Sequence, residues 1–194
     1  MHRILVLGDS LSAAHGIDGD AGWVSLLEAR LAGRETHWQV RNASVGGETT
    51  AGGRTRLPAL LEEVGPDLLI LELGGNDGLR GLSLRAMREN LETMLDAADA
   101  ASAEVLLAGI EIPPNYGPVY TDRFRAIFAD LAADRELAFV PFLLEGVALE
   151  PGMMLDDGIH PGAAAQPRIL ENVWSELEPL LDRLEQRAPA PAGR

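Results

Sequence analysis

The sequence predicts a three-layer α/β/α domain: a five-stranded parallel sheet, doubly wound, with helices on both faces. Three observations carry that expectation. Five short runs rich in Val, Ile and Leu occur along the chain, and none alternates cleanly between apolar and polar residues, as expected of strands buried on both faces. Segments of helical periodicity separate them, so strand and helix take turns over the whole length. Glycine-rich or polar segments follow the runs, on the rim where such sheets bind ligands.

The elements follow in order. Ile4 to Leu7 is the first strand and runs straight into Gly8-Asp9-Ser10-Leu11-Ser12. Trp23, Leu27 and Leu31 share one helical face. Trp38 to Arg41 is the second strand, followed by the polar loop from Asn42 to Thr49. Leu57 to Val64 reads as a helix with Pro58 in its first turn, where the missing N–H costs little. Leu68 to Leu73 is the third strand, and Gly74-Gly75-Asn76-Asp77-Gly78 behind it reads as a tight loop. Met87, Leu91 and Leu95 mark the next helix, Val105 to Ile110 the fourth strand, and Phe124, Phe128 and Leu131 the helix after it. Ala138 to Phe142 is the fifth strand. A last helix sets Ile169, Val173, Leu177, Leu180 and Leu184 on one stripe, with Pro179 able to kink it. Ala188 to Arg194, rich in Pro and Ala, reads as a disordered tail behind a single domain of residues 1–187.

Composition narrows the function. The formal net charge of −14 argues against nucleic acid and anionic membranes as partners, because phosphate binding needs clustered Lys and Arg. With no cysteine, disulfides, thiolate catalysis and Cys-based zinc sites are excluded. No apolar run approaches the roughly 20 residues of a membrane span, so stable membrane insertion is not expected. Met1 leads directly into the first strand without a leader, which points to the cytoplasm, or to export followed by removal of a leader.

The chemistry sits in the loops. A serine hydroxyl becomes a nucleophile when a base lies within hydrogen-bond reach and a third group orients that base. Ser10 stands at the end of a strand, reached through a glycine. Of the four histidines, His2 precedes the first strand and His37 begins the second, both on the opposite rim. His15 follows Ser10 closely and is a rival base. His160 stands in Asp157-Gly158-Ile159-His160-Pro161, where Gly158 lets the backbone turn so that Asp157 meets the imidazole. Asp157 then fixes the ring tautomer while the other nitrogen faces Ser10. Candidate oxyanion donors are the backbone N–H groups of Ser10 and Gly47 and the side-chain amide of Asn76. Leu79, Ile112, Pro113 and Tyr116 offer apolar surface for an acyl chain, with Met153, Met154 and Leu155 opposite, although ordinary packing explains them equally well.

Each piece has a plainer reading. Gly-Asp-Ser after a strand often caps a helix, Asp9 reads as the organiser of its turn, and Asp77 can simply stabilise a loop. Asp156, Asp157 and His160 lack the further ligands a metal site needs, so no metal or cofactor is expected. The dinucleotide glycine fingerprint, the P-loop and the Gly-x-Ser-x-Gly elbow are absent. The joint occurrence of the Ser10, Gly47, Asn76 and Asp157–His160 segments on one rim favours the catalytic reading.

Gly8-Asp9-Ser10-Leu11-Ser12, Gly47, Gly75-Asn76-Asp77 and Asp157-Gly158-Ile159-His160-Pro161 together resemble the four blocks of the SGNH (GDSL) hydrolases. The likeness spans almost the whole chain. Arg56 to Leu61, Glu72 to Gly81 and Pro114 to Gly117 bring it closest to the family's bacterial multifunctional thioesterase/protease/lysophospholipase branch. The resemblance implies the SGNH hydrolase fold, flavodoxin-like in layout. It also implies Ser10 as nucleophile, His160 as base, Asp157 as orienting acid, and Ser10, Gly47 and Asn76 as the oxyanion hole. Gly46 stands where that branch often has a polar residue. Glu111 stands where it can carry a basic one, which weighs against anionic substrates such as acyl-CoA. The expected activity is hydrolysis of small acyl esters and thioesters through an acyl-enzyme. The alternatives are a carbohydrate acetylesterase of the same fold and a non-catalytic flavodoxin-like binding module.

Overall fold

The computed structural model describes residues 1–187, and the expected tail at 188–194 lies outside the described residues. Strands β1 (His2–Gly8), β2 (Trp38–Asn42), β3 (Leu68–Glu72), β4 (Glu104–Ala108) and β5 (Ala138–Val140) form one sheet in the order β2-β1-β3-β4-β5. Every pairing is parallel. The helices are α1 (Trp23–Leu31), α2 (Thr50–Val64), α3 (Gly75–Leu79), α4 (Leu84–Ala100), α5 (Pro118–Asp134) and α6 (Gln166–Gln186).

Side chains of successive strand residues point to opposite faces, so each strand feeds two cores. Ile4 and Val6 of β1, with Leu68 and Ile70 of β3, pack against α1 and α6. Leu5 and Leu7, with Leu69 and Leu71, pack against α2, α4 and α5. These side chains are fully buried, each contributing about 1.5–3 kcal/mol of transfer free energy. That two-sided burial is why the runs showed no alternation. No helix among the described residues is long and apolar enough to cross a membrane.

The order of strands reverses between β1 and β3, which pair directly and set Gly8 opposite Glu72 at their carboxyl ends. In open α/β sheets the crevice outside that reversal is where ligands bind. The first loop and the glycine loop therefore meet there, although more than 60 residues separate them in sequence.

The sequence expectation needs correcting at several elements. Helix α2 begins at Thr50 rather than Leu57, and Pro58 lies inside it, not in its first turn. Gly52 and Gly53 conceal the start, yet both belong to the helix. At Gly53 a Cβ would stand 2.3 Å from Leu73 Cδ1, so the missing side chain allows α2 to approach the sheet. Thr49 caps the helix by accepting from Gly52 N–H. Gly75–Leu79 is a short helix rather than a loop. The strands β4 and β5 end earlier than their apolar runs, at Ala108 and Val140, and His2 belongs to β1. Pro179 lies within α6 without ending it.

Candidate active site

The turn after β1 is anchored on both sides of Ser10. At Gly8 a Cβ would lie 2.6 Å from Glu72 Oε2 and 2.8 Å from Ser12 Oγ, so the turn can fold over Glu72 only without a side chain there. Asp9 is buried, and its Oδ1 accepts from Leu11 N–H at 3.0 Å, closing the turn on itself. Ser12, also buried, donates from Oγ to Glu72 Oε2 at 2.7 Å, and its carbonyl accepts from Asn42 Nδ2 at 2.8 Å. Ser10 is left between these fixed neighbours, partly exposed at the rim.

The second half of the site comes from the loop before α6. Gly158 has φ +65°, a left-handed conformation open to glycine, and its N–H donates to Leu155 carbonyl. That turn lets Asp157 Oδ1 accept from the N–H groups of Ile159 and His160, both at 2.9 Å. Asp157 Oδ2 then lies 2.6 Å from His160 Nδ1. Outside the turn the loop is braced by Leu155 N–H to His160 carbonyl at 2.7 Å and by Gly162 N–H to Met153 carbonyl at 2.7 Å. Buried Gln166 ties it to α1, accepting from Trp23 N–H while its Nε2 faces the carbonyls of Pro161 and Gly162. His160 Nε2 lies 3.0 Å from Ser10 Oγ. The chain Asp157–His160–Ser10 is continuous.

Electrostatics follow from these contacts. Two backbone N–H groups and the imidazole hold the Asp157 carboxyl well below the usual carboxylate range, the His160 N–H contributing most. Burial acts the other way on the first loop. It raises Asp9 from 3.8 to about 6, against the opposing pull of the Leu11 N–H, the Asn76 amide and His160. Burial, with the Asp9 charge beside it, also pushes Glu72 well above its ordinary value.

The three expected oxyanion donors come to the same rim. The backbone N–H groups of Ser10 and Gly47 donate to no acceptor among the described residues, and Gly47 sits at φ +78° with its carbonyl accepting from Arg80. Asn76, in the first turn of α3, donates from Nδ2 to Asp9 Oδ2 and to the Glu48 carbonyl, both at 3.0 Å. Helix α3 is pinned in turn. Asp77 accepts from Thr50 N–H at 2.9 Å and from Thr50 Oγ1 at 2.6 Å, and Asn90 donates to that hydroxyl.

The ring of His15, the rival base, makes no hydrogen bond to the Ser10 hydroxyl, although the His15 N–H donates to the Ser10 carbonyl at 3.2 Å. Its ring packs against His160 with centroids 4.3 Å apart and planes at 40°, covering the imidazole from the side. His2 pairs with Asp67 and stacks on Trp38 at the amino ends of the strands. The four acyl-site candidates divide. Ile112 is buried in the core, its Cγ2 beside Gly78 against Phe124, and offers no surface to a chain. Pro113 is exposed, Leu79 is partly buried, and Tyr116 donates from its hydroxyl to the Leu79 carbonyl at 2.7 Å. Tyr116 alone of the four borders an apolar groove of about 580 Å³ formed with Leu82, Leu84, Val119 and Tyr120. Met153 and Met154 pack onto the core below α6. No group of three or more acidic or imidazole side chains among the described residues is arranged to hold a metal ion.

Sequence reasoning missed Glu72 and the Glu48 carbonyl. The first had a signal, a lone carboxylate inside the otherwise apolar run Leu68 to Leu73. The second, a backbone group, had none.

Residues 6–168 match the GDSL-like lipase/acylhydrolase family. The chain belongs to that family. Among its relatives, the esterase TesA of Pseudomonas aeruginosa is 54% identical over 92% of this chain and 89% of its own length. Thioesterase 1/protease 1/lysophospholipase L1 of Escherichia coli is 42% identical over 92% of this chain and 85% of its own. Family likeness extends to architecture. The crystal structure of TesA superposes with a TM-score of 0.90 over 92% of this chain and 99% of that one. The psychrotrophic esterase EstA from Pseudoalteromonas, inhibited by monoethylphosphonate, superposes with a TM-score of 0.88 at 37% identity, covering 94% of this chain and 100% of EstA.

Proposed function

We propose that this GDSL-family protein is a serine hydrolase of small carboxylic esters and thioesters, with Ser10, His160 and Asp157 as its catalytic residues. The observation that carries the reading is the unbroken chain of contacts, 3.0 Å from Ser10 Oγ to His160 Nε2 and 2.6 Å from His160 Nδ1 to Asp157 Oδ2. In the acylation step Ser10 Oγ attacks the carbonyl carbon and its proton passes to His160 Nε2. Asp157 keeps the Nδ1 proton in place and stabilises the imidazolium. The tetrahedral intermediate collapses as His160 gives its proton to the leaving alcohol or thiol. Water then enters, loses a proton to His160 and releases the acid by the same steps reversed.

The developing oxyanion takes the N–H groups of Ser10 and Gly47, which have no competing protein acceptor among the described residues. Asn76 is different, because both amide hydrogens already have acceptors in Asp9 and the Glu48 carbonyl. The oxyanion shares or displaces the Glu48 carbonyl, so Asn76 contributes to the extent that charge develops on the substrate. That is the behaviour expected of a group that favours the transition state over the ground state.

Leu79, Pro113 and Tyr116 form the near wall for the acyl group, and the apolar groove beyond Tyr116 extends it. The names of the two relatives, an esterase and a thioesterase/lysophospholipase, support acyl substrates of this kind. The test is a rate profile over acyl chains from acetyl to palmitoyl, on both oxygen and thiol leaving groups, with labelling by a fluorophosphonate. Turnover of both leaving groups with the label on Ser10 is expected. Turnover confined to acetylated sugars, or a protein that neither labels nor turns over, overturns the reading.

A further inference from the structure

The reaction above gives Glu72 no task, yet its carboxyl group lies directly beneath the nucleophile turn. It ends β3 opposite Gly8, fully buried. Oε2 lies 2.7 Å from Ser12 Oγ and 3.3 Å from Asp9 N, whereas Oε1 is buried with no hydrogen-bond partner among the described residues. Neither Glu72 nor Asp9 takes part in any ion pair among the described residues. Two buried carboxyl groups that share a site without a cation hold one negative charge between them, not two.

Geometry decides which of the two holds it. The Asp9 carboxylate is met by the Leu11 N–H on one oxygen and the Asn76 amide on the other, with His160 near enough to favour its charge and Asp77 near enough to oppose it. A charge on Glu72 would face the Ser12 hydroxyl and only weak help from the N–H groups of Asp9, at 3.3 Å, and Ser12, with Oε1 left without a hydrogen-bond partner among the described residues. The proton therefore belongs to Glu72. We propose that Glu72 is a positioning residue, a neutral carboxyl group that fixes the turn from Asp9 to Ser12 and so aims the Ser10 hydroxyl without placing a second anion under the oxyanion hole. An anion there would oppose the charge that develops on the substrate. Its burial and the neighbouring Asp9 charge push the Glu72 carboxyl upward, in the direction that geometry requires. The proposal rests on Ser10 being the nucleophile.

The experiment compares wild-type protein with Glu72→Gln and Glu72→Met, measuring kcat and KM on p-nitrophenyl butyrate from pH 6 to 9, fluorophosphonate labelling, and thermal midpoints over the same range. Gln keeps a neutral group of the same shape and should hold kcat within about threefold at every pH. It should also abolish the alkaline loss of thermal stability that ionisation of Glu72 imposes on the wild type. Met removes the hydrogen bonds and should lower kcat and the labelling rate by about tenfold or more, with KM within about twofold. If Glu72→Met does not fold, Ser12→Ala takes its place with the same expected fall in kcat. A Gln variant as impaired as the Met variant overturns the proposal, because the anion would then be needed. A folded Met variant, or a Ser12→Ala variant, with wild-type kcat also overturns it. A wild-type protein that hydrolyses the ester without labelling at Ser10 overturns the functional reading itself, and is distinguishable from either result.

Discussion

Asp157 Oδ2 stands 2.6 Å from His160 Nδ1, and the other oxygen of the same carboxylate holds the N–H groups of Ile159 and His160. One side chain therefore shapes the loop and orients the imidazole that the loop carries. Local geometry of this kind survives in a four-residue motif, whereas the partner at Ser10 comes from the far end of the chain.

Asp157→Asn tests the orienting role. The amide keeps a carbonyl oxygen for the backbone donors but favours the wrong imidazole tautomer. The expected result is a fall in kcat of about 10³ or more with little change in KM, by analogy with the same substitution in other Ser-His-Asp triads. Steady-state kinetics on a soluble ester decides it, and a fall below tenfold contradicts the role. Because the carboxyl group lies below the usual carboxylate range, its contribution to folding is present above about pH 4 and is lost as the pH falls below that range.

Asn76→Ala should lower kcat by about 10² to 10³, the loss seen when one oxyanion donor is removed. The Glu48 carbonyl and Asp9 lose a donor at the same time, so some of the cost falls on stability. Measuring kcat and the urea midpoint together separates the two. A variant that loses stability while kcat holds would contradict the oxyanion assignment.

Asp9 sets a pH dependence of the opposite sign from Asp157. Its carboxyl is raised from 3.8 to about 6 by burial, so its contribution to stability is fully present below about pH 4 and is lost as the pH rises through 6. A rise of that size corresponds to about 3 kcal/mol at most. Urea midpoints from pH 4 to 7.5 should fall on this account in the wild type, and the slope should flatten in Asp9→Asn. An equal slope in both proteins counts against it.

Gly78→Ala should disturb both packing and catalysis. A Cβ there would meet Phe124 Cε2 at 2.6 Å and Ile112 Cγ2 at 2.9 Å, in a core with no room to yield. Overpacking of this kind costs about 1–3 kcal/mol, and relief by moving α3 displaces Asn76. Gly19→Ala is the control, since nothing lies within 4 Å of the added carbon and its φ is not positive. A urea titration showing equal stability of the two variants would contradict the packing argument.

The sheet and its rim were legible in the chain because burial on both faces leaves the strand residues uniformly apolar, as at Ile4 to Leu7 and Leu68 to Leu71. Asp157 and His160 were legible because their meeting is local. What stayed hidden has a physical cause in each case. Gly52 and Gly53 hide the true start of α2, which needs the side chain missing at Gly53 to approach Leu73 and the one missing at Gly52 to make room for the Glu48 carboxylate. Ile112, between Glu111 and two prolines, reads as a surface residue, and only the approach of Gly78 shows that it fills the core. His15 was close enough in sequence to rival His160. Its ring instead lies on His160, and no pattern in the sequence shows which way a loop side chain turns.

The most direct test of the account is turnover of p-nitrophenyl butyrate by Ser10→Ala beside the wild type. The account predicts that the variant folds with the wild-type thermal midpoint to within a few degrees and loses activity by about 10³-fold or more. Turnover within tenfold of wild type would contradict it, since no other hydroxyl among the described residues stands within hydrogen-bond distance of His160 Nε2.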